Sequence, residues 1–118
     1  LYYLARESQK GTIPNHINQW LPYQQDFPDK KEELLRSLLI QMEKNNLSSV
    51  SFGTNLMIVP GYDFKMVDGI ITNFHQPQST LLMLVAAFTK NRWKPMYDFA
   101  MNNGFRFLSY GDSSLLMP

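Results

Sequence analysis

The sequence contains no cysteine among its 118 residues. This absence excludes a disulfide framework and thiolate chemistry for these residues, and it fits a reducing compartment such as the cytoplasm. An excess of one charge is lacking as well, because 11 basic residues stand against 10 acidic ones and give a formal net charge of +1. The composition therefore shows no polycationic surface, and any contact with nucleic acid would have to be local.

Long apolar runs are also missing. The longest, residues 81–88, is far shorter than the roughly 20 residues that a membrane-spanning helix needs, so we expect no membrane association. Hydrophobic residues nevertheless make up 44% of the sequence and charged residues 18%, which is typical of a folded globular protein. The chain begins Leu-Tyr-Tyr-Leu rather than with Met, and we therefore expect it to be part of a longer protein.

Helical periodicity alternates along the chain with short apolar segments. Residues 1–8 predict the end of a helix, a capping box of Asp29 and Glu32 predicts a second helix that stops at residues 45–46, and two more helices are predicted at 79–88 and 93–102. Short strands are predicted at 16–20, 50–52, 56–59, 69–72, 105–110 and 115–117. This alternation predicts a three-layer α/β fold with a mixed, partly parallel sheet flanked by helices.

The predicted helices at the start of the chain are separated by a long irregular connection. Residues 11–28 contain one glycine and three prolines, and such loops are commonly insertions, lids or surface wraps. Its aromatic residues Trp20, Tyr23 and Phe27 could pack the loop down or stack on a base, and we favour packing. We therefore divide the chain into a helix end at 1–10, an irregular connection at 11–28 and an α/β core at 29–118.

The richest polar segment runs from Asp68 to Thr80, where a predicted strand ends and a predicted helix begins. Ligands of open α/β sheets bind at such strand ends. The free N–H groups and hydroxyls at Ser79 and Thr80 could hold a carboxylate, a phosphate or a ribose oxygen, and His75 could act as an acid, a base or a hydrogen-bond partner. A purely structural reading also stands, with Ser79 as a helix cap and His75 as a turn residue.

A second candidate segment, Tyr110 to Ser113, also follows a predicted strand. Gly111 would allow a close backbone approach or a positive φ, and Asp112 could accept a hydrogen bond from a ribose hydroxyl or an ammonium group. An Asx-type turn explains the same residues equally well. No metal site is expected, because neither histidine has a ligand-spaced partner in the sequence.

Both segments lie in longer runs that resemble a known family. The first run is Pro60-Gly-Tyr-x-Phe-Lys-x-Val-Asp-Gly-x-Ile-Thr-Asn-Phe-His-x-Pro-x-Ser-Thr-Leu-Leu-Met-Leu-Val85, and the second is Phe105-Arg-Phe-Leu-Ser-Tyr-Gly-Asp112. They resemble two C-terminal signatures of the S-adenosylmethionine:tRNA ribosyltransferase-isomerase family of queuosine biosynthesis, in the family's order and near its spacing. Gln78 departs from the Lys or Arg of many members, and residues 9–48 resemble a variant branch.

The resemblance implies a transferase and isomerase that acts on tRNA. Such an enzyme moves and isomerises the ribosyl moiety of S-adenosylmethionine onto the 7-aminomethyl-7-deazaguanine wobble base, giving epoxyqueuosine-tRNA with release of adenine and methionine. A base would remove a proton beside the sulfonium. The resemblance also implies S-adenosylmethionine as the ribosyl donor, no metal, tRNA as the partner, and a cytoplasmic, monomeric parent enzyme. This chain would be the C-terminal segment of its α/β domain.

Site residues follow from the matched motifs. We expect His75 and Asp68 to be catalytic, and we expect substrate contacts from Asn73, Phe74, Ser79, Thr80, Tyr110, Gly111 and Asp112. The chain alone is expected to be inactive, because the rest of the enzyme would supply the other wall of the site. The alternative is a non-catalytic RNA-binding or interaction module with the same fold, and the intact polar residues of both motifs favour the enzyme.

Overall fold

The computed structural model describes residues 1–24 and 30–117. The chain divides into two compact units, Leu1–Met57 and a second unit that begins at Ile58. No helix in the described ranges is long and apolar enough to cross a membrane. The elements are α1 (Tyr2–Ser8), β1 (His16–Ile17), α2 (Leu21–Gln24), α3 (Lys31–Lys44), β2 (Gly53–Thr54), β3 (Ile70–Asn73), α4 (Thr80–Phe88), α5 (Trp93–Asn102), a 3-10 turn (Leu108–Tyr110) and β4 (Ser113–Leu116).

The first unit contains α1, α2, α3 and a parallel strand pair. Strand β1 pairs with β2 in the register His16 to Gly53 and Ile17 to Thr54. Helix α1 packs against α3, and the core of the unit is formed by the buried residues Tyr2, Tyr3, Leu4, Ala5, Ile17, Leu34 and Leu38. The irregular connection is attached within this unit, since the Tyr23 hydroxyl donates to the Met57 carbonyl at 2.8 Å and the Tyr23 ring lies 5.9 Å from that of Trp20.

The start of α3 differs from the predicted start of the second helix. The helix begins at Lys31, and Lys30 occupies the N-cap position with extended backbone and no side-chain cap. The predicted capping residue Asp29 lies outside the described residues, as does Phe27 of the connection. The predicted end of this helix at residues 45–46 is confirmed, because Asn45 is the C-cap residue of α3.

The second unit joins an antiparallel strand pair to helices α4 and α5. Strands β3 and β4 pair in the register Ile70 to Leu116 through Asn73 to Ser113. The predicted helices at 79–88 and 93–102 are both confirmed, and Gly104 follows α5 with φ +70°, as the glycine after a helix end commonly does. The core of this unit consists of Phe74, Leu82, Val85, Phe88, Tyr97, Ala100 and Leu116.

The predicted α/β class is confirmed, with one parallel and one antiparallel strand pair. Within the described residues these pairs form two separate two-stranded sheets, whereas the alternation of elements in the sequence predicts one mixed sheet. The strands predicted at 50–52 and 56–59 were wrong, because the short strand β2 falls between them. The N–H of Leu56 donates to Oγ1 of Thr54 at 3.1 Å, and this local bond accompanies the end of β2.

The strand predicted at 105–110 was also wrong. The N–H of Arg106 donates to Oδ2 of Asp112 at 2.9 Å, and the carbonyl of Arg106 accepts from the N–H of Asp112 at 3.0 Å. Both backbone groups of Arg106 are thus used within a local loop rather than in a strand ladder. Leu108 then enters a 3-10 turn with φ +66°.

Candidate functional site

Antiparallel pairing of β3 and β4 brings the two candidate segments together. Asn73, the last residue of β3, lies opposite Ser113, the first residue of β4. The Ser113 hydroxyl donates to Oδ1 of Asn73 at 2.8 Å, and the Ser114 hydroxyl donates to the carbonyl of Thr72 at 3.1 Å. Two motifs that are forty residues apart in sequence therefore share one edge of the second unit.

His75 is held at this edge by two hydrogen bonds. Its Nε2 atom lies 2.7 Å from Oγ1 of Thr72, and its backbone N–H donates to the hydroxyl of Tyr97 at 3.0 Å. The side chain is half-buried. No hydrogen-bond partner for Nδ1 is present in residues 1–24 and 30–117, so this nitrogen is available to accept or donate a proton.

Ser79 caps helix α4, as the structural reading of the sequence predicts. Its Oγ atom accepts from the N–H of Leu82 at 3.1 Å and donates to the carbonyl of Gln76 at 2.8 Å. The hydroxyl proton of Ser79 is therefore already engaged, and one acceptor lone pair remains for a ligand. Thr80, the first residue of α4, is exposed.

A cavity of about 200 Å³ lies beside this helix start. Its lining residues are Gln78, Ser79, Leu82, Met83, Ala86 and Trp93. The walls are mainly apolar and aromatic, with one amide and one hydroxyl, which is a suitable lining for a planar heteroaromatic group. Gln78 adopts φ +63° at the turn before the helix.

Gly111 and Asp112 form the second half of the edge. A Cβ atom on Gly111 would lie 2.2 Å from the carbonyl oxygen of Arg106, and φ is −95°, so a close backbone approach rather than a positive φ requires glycine here. The hydrogen bonds from the backbone and side chain of Arg106 lower the pKa of the Asp112 carboxyl. Tyr110 belongs to the 3-10 turn, and its side chain lies outside the described part of the structure.

The side chains of two predicted residues, Phe74 and Asp68, lie away from the edge that is formed by residues 72–75 and 111–114. The Phe74 side chain is 3% exposed and packs in the core against the rings of Tyr97, Phe105 and Phe107, with centroid distances of 5.3, 5.6 and 5.4 Å. The Phe74 ring therefore packs in the core rather than at the edge. Its carbonyl accepts a hydrogen bond from the N–H of Leu108 at 2.9 Å.

Asp68 precedes β3, whereas His75 follows it. The four residues of β3 lie between the two positions and account for about 13 Å of extended strand. Asp68 contributes instead to a cavity of about 230 Å³ that is lined by Tyr62, Asp63, Phe64, Val67, Asp68, Ala87, Phe88 and Lys90. The structure thus does not place the two predicted catalytic residues at the same end of the strand.

Two residues that contact His75 were missed by the sequence analysis. Thr72 lies three positions before His75, and a hydroxyl residue at a strand end was a usable signal. Tyr97 lies 22 positions away, and nothing in the local sequence indicated its contact. Within the described residues, no group of three or more His, Cys, Asp or Glu side chains is arranged to hold a metal ion.

Comparison with known proteins gives consistent matches over the region of this site. The family described as queuosine biosynthesis protein matches residues 34–116. The S-adenosylmethionine:tRNA ribosyltransferase-isomerase of Magnetococcus marinus is 49% identical over 86 residues, which are 71% of this chain and 24% of that protein. The corresponding protein of Halothermothrix orenii is 48% identical over 77 residues, or 64% of this chain and 23% of that protein.

A solved structure also resembles the chain. The crystal structure of S-adenosylmethionine tRNA ribosyltransferase from Thermotoga maritima aligns with a TM-score of 0.56 and 34% identity, covering 73% of this chain and 39% of that one. The chain spans about a quarter of the length of the two curated relatives above. The matched region contains β3, β4 and every candidate site residue. The chain therefore belongs to the queuosine biosynthesis protein family.

Proposed function

We propose that this chain is the C-terminal segment of the α/β domain of an S-adenosylmethionine:tRNA ribosyltransferase-isomerase. Its parts would be a helix end at 1–10, a connection at 11–28 and an α/β core at 29–118. The observation that carries the proposal is the pairing of β3 with β4, which joins both family motifs at one edge inside the matched region.

The proposed reaction transfers and isomerises the ribosyl moiety of S-adenosylmethionine onto the 7-aminomethyl-7-deazaguanine base at the tRNA wobble position. Adenine and methionine leave, and epoxyqueuosine-tRNA forms. His75 is the proposed base that removes a proton beside the sulfonium, because imidazole suits proton transfer near neutral pH and Nδ1 has no partner in the described residues. Asp68 remains a second proposed catalytic residue, from the other end of β3.

Substrate contacts are proposed for the polar groups along the same edge. The Asn73 amide and the Asp112 carboxylate are suited to hydroxyl or ammonium groups of S-adenosylmethionine, and the N–H groups at the start of α4 are suited to an anionic group. Proposed contacts also come from Ser79, Thr80, Tyr110 and Gly111. Phe74 would act from the core by fixing the backbone between Asn73 and His75.

The proposed parent enzyme is a cytoplasmic monomer that needs no metal and has tRNA as its macromolecular substrate. A net charge of +1 gives this chain little general attraction for tRNA phosphates. We therefore propose that most of the basic surface for tRNA belongs to the remainder of the enzyme.

A chimeric enzyme tests the proposal. In the Magnetococcus marinus protein, the 86-residue segment that aligns with this chain would be replaced by the segment from this chain. Adenine release would be measured with S-adenosylmethionine and substrate tRNA. We expect an active chimera, and we expect His75→Ala to lower turnover about 10²- to 10⁴-fold, the usual range for loss of a general acid or base.

Asp98→Asn serves as the matched control, since Asp98 is exposed on α5 and makes none of the contacts described at the site. It should leave turnover and the melting curve unchanged. Wild-type turnover by a normally folded His75→Ala chimera would remove His75 from the reaction. A folded chimera that releases no adenine would contradict the enzyme assignment and support a non-catalytic module.

A further inference from the structure

Thr72 contacts His75 directly and is itself fixed in place. Its Oγ1 atom lies 2.7 Å from Nε2 of His75, and both side chains are partly buried. The backbone of Thr72 pairs with Ser114 on β4, and its carbonyl accepts from the Ser114 hydroxyl at 3.1 Å. Because the strand pair holds the Thr72 backbone, the hydroxyl group is a preorganised partner for the imidazole ring.

Tyr97 fixes the backbone of the same histidine. Its hydroxyl accepts from the N–H of His75 at 3.0 Å, and its side chain is 5% exposed. The Tyr97 ring stands edge-on to the rings of Phe74 and Trp93, with centroid distances of 5.3 Å in both cases. His75 is therefore anchored twice, through its backbone to α5 and through its ring to β3.

We propose that Thr72 is the positioning residue for His75. Its hydroxyl accepts a hydrogen bond from Nε2–H, and this leaves Nδ1 as the unprotonated nitrogen of the neutral ring. A neutral imidazole carries one N–H group. A partner that accepts a hydrogen bond at one ring nitrogen therefore leaves the lone pair on the other nitrogen. The assignment rests on the proposed function, in which the free nitrogen of His75 removes a proton from the substrate.

The reverse arrangement has a different chemical consequence. If the Thr72 hydroxyl donated to Nε2, then Nδ1 would carry the proton and the neutral ring could act there only as a donor. The direction of the hydrogen bond between Thr72 and His75 thus decides whether Nδ1 of the neutral ring can act as a base or only as a donor. The two arrangements predict different atoms for the imidazole proton, which is an observable independent of turnover.

Nitrogen-resolved NMR of the 118-residue chain reads this proton directly. The sequence has two histidines, so a His16→Gln background leaves His75 as the single imidazole signal. Above neutral pH we expect the proton on Nε2 in the wild type and in Thr72→Ser. In Thr72→Val, exchange of that proton with water should be about tenfold faster, as expected for the loss of one hydrogen bond. A proton on Nδ1 in the wild type would overturn the proposal.

A double-mutant cycle in the active chimera tests the same assignment by turnover. We expect Thr72→Val to lower kcat about tenfold with an unchanged KM, Thr72→Ser to restore it to within about twofold, and Thr72→Val to have no further effect in a His75→Ala background. Thr89→Val is the matched control, because among the described residues its hydroxyl bonds only the helix carbonyl of Val85, at 2.8 Å.

Failure of this inference is distinguishable from failure of the proposed function. An equal loss from Thr72→Val with and without His75 would show that Thr72 does not act through the imidazole, and would overturn the positioning role while the enzyme assignment stands. Wild-type turnover by His75→Ala would instead remove the proposed base. The NMR experiment would still show whether the imidazole proton is on Nε2 and hence whether the Thr72 hydroxyl accepts its hydrogen bond.

Discussion

Arg106 and Asp112 close a loop of the second unit through three hydrogen bonds. The backbone N–H of Arg106 donates to Oδ2 of Asp112 at 2.9 Å, its guanidinium donates to Oδ1 at 3.3 Å, and its carbonyl accepts from the Asp112 N–H at 3.0 Å. The carboxylate is thus held in its charged form by a backbone donor and a cation. This loop carries Gly111 and leads directly into β4.

The carboxylate of Asp112 makes the stability of the chain dependent on pH in the acid range. Its pKa is lowered by the bonds from Arg106, so the folded state favours the charged form. The stabilisation is fully present above the usual carboxyl pKa of about 4 and is lost as the pH falls through the lower folded-state pKa. We expect Asp112→Asn to reduce the free energy of unfolding at pH 7, with a smaller difference from wild type at pH 3, measured by urea titration.

Asp98→Asn is the control for this experiment, because Asp98 lies exposed on α5. Its free energy of unfolding should stay close to that of the wild type at both pH values. A constant difference between Asp112→Asn and wild type from pH 7 to pH 3 would contradict a role for the charge of this carboxylate.

Replacement of Gly111 by alanine should destabilise the chain. The added Cβ would lie 2.2 Å from the carbonyl oxygen of Arg106 and 2.8 Å from the carbonyl carbon of Phe107, and both are backbone atoms that cannot move as a side chain does. We expect a loss of about 1–3 kcal/mol in the free energy of unfolding, as for other overpacked positions. Chemical denaturation measures it.

Gly69→Ala provides the matched comparison. Its added Cβ would lie 3.0 Å from the sulfur of Met117, which is the far end of a flexible side chain and can give way. This variant should therefore lose much less stability than Gly111→Ala. Equal losses in the two variants would show that the close approach to Arg106 is not the cause.

Ser79→Ala separates the capping role of this serine from a role in binding. The hydroxyl accepts from the N–H of Leu82 and donates to the carbonyl of Gln76, so its removal leaves one helix donor without its cap. We expect about 1 kcal/mol of lost stability from thermal or urea unfolding. Thr80→Ala, which changes an exposed residue inside the same helix start, should cost less. Stability losses in the opposite order would contradict the cap.

Local signals in the sequence were sufficient to predict most of the secondary structure of the second unit. A serine after Pro77, followed by a continuous apolar run, predicted the start of α4, and the structure has Ser79 as its capping residue. The pattern at 105–110 failed because alternation with period two reports only on neighbouring residues. The bonds between Arg106 and Asp112 span six positions and outweigh that local preference.

The candidate site was predictable as two segments but not as one edge. Asn73 and Ser113 lie 40 positions apart, and only the register of β3 with β4 brings their side chains together. The contact of Thr72 with His75 could have been predicted from the sequence, because the two residues lie three positions apart. Tyr97 was not, because its contact with His75 depends on how α5 packs in the core.

The chain by itself should not catalyse ribosyl transfer. It spans about a quarter of the length of the curated relatives above, and under the proposed function most of the surface that encloses S-adenosylmethionine and the tRNA base would come from the remainder of the enzyme. We expect no adenine release above the uncatalysed rate when the 118-residue chain is incubated with S-adenosylmethionine and substrate tRNA. The full-length Magnetococcus marinus relative is the positive control. Turnover by the chain, abolished in its His75→Ala variant, would contradict this prediction and show that the 118-residue chain forms a complete active site by itself.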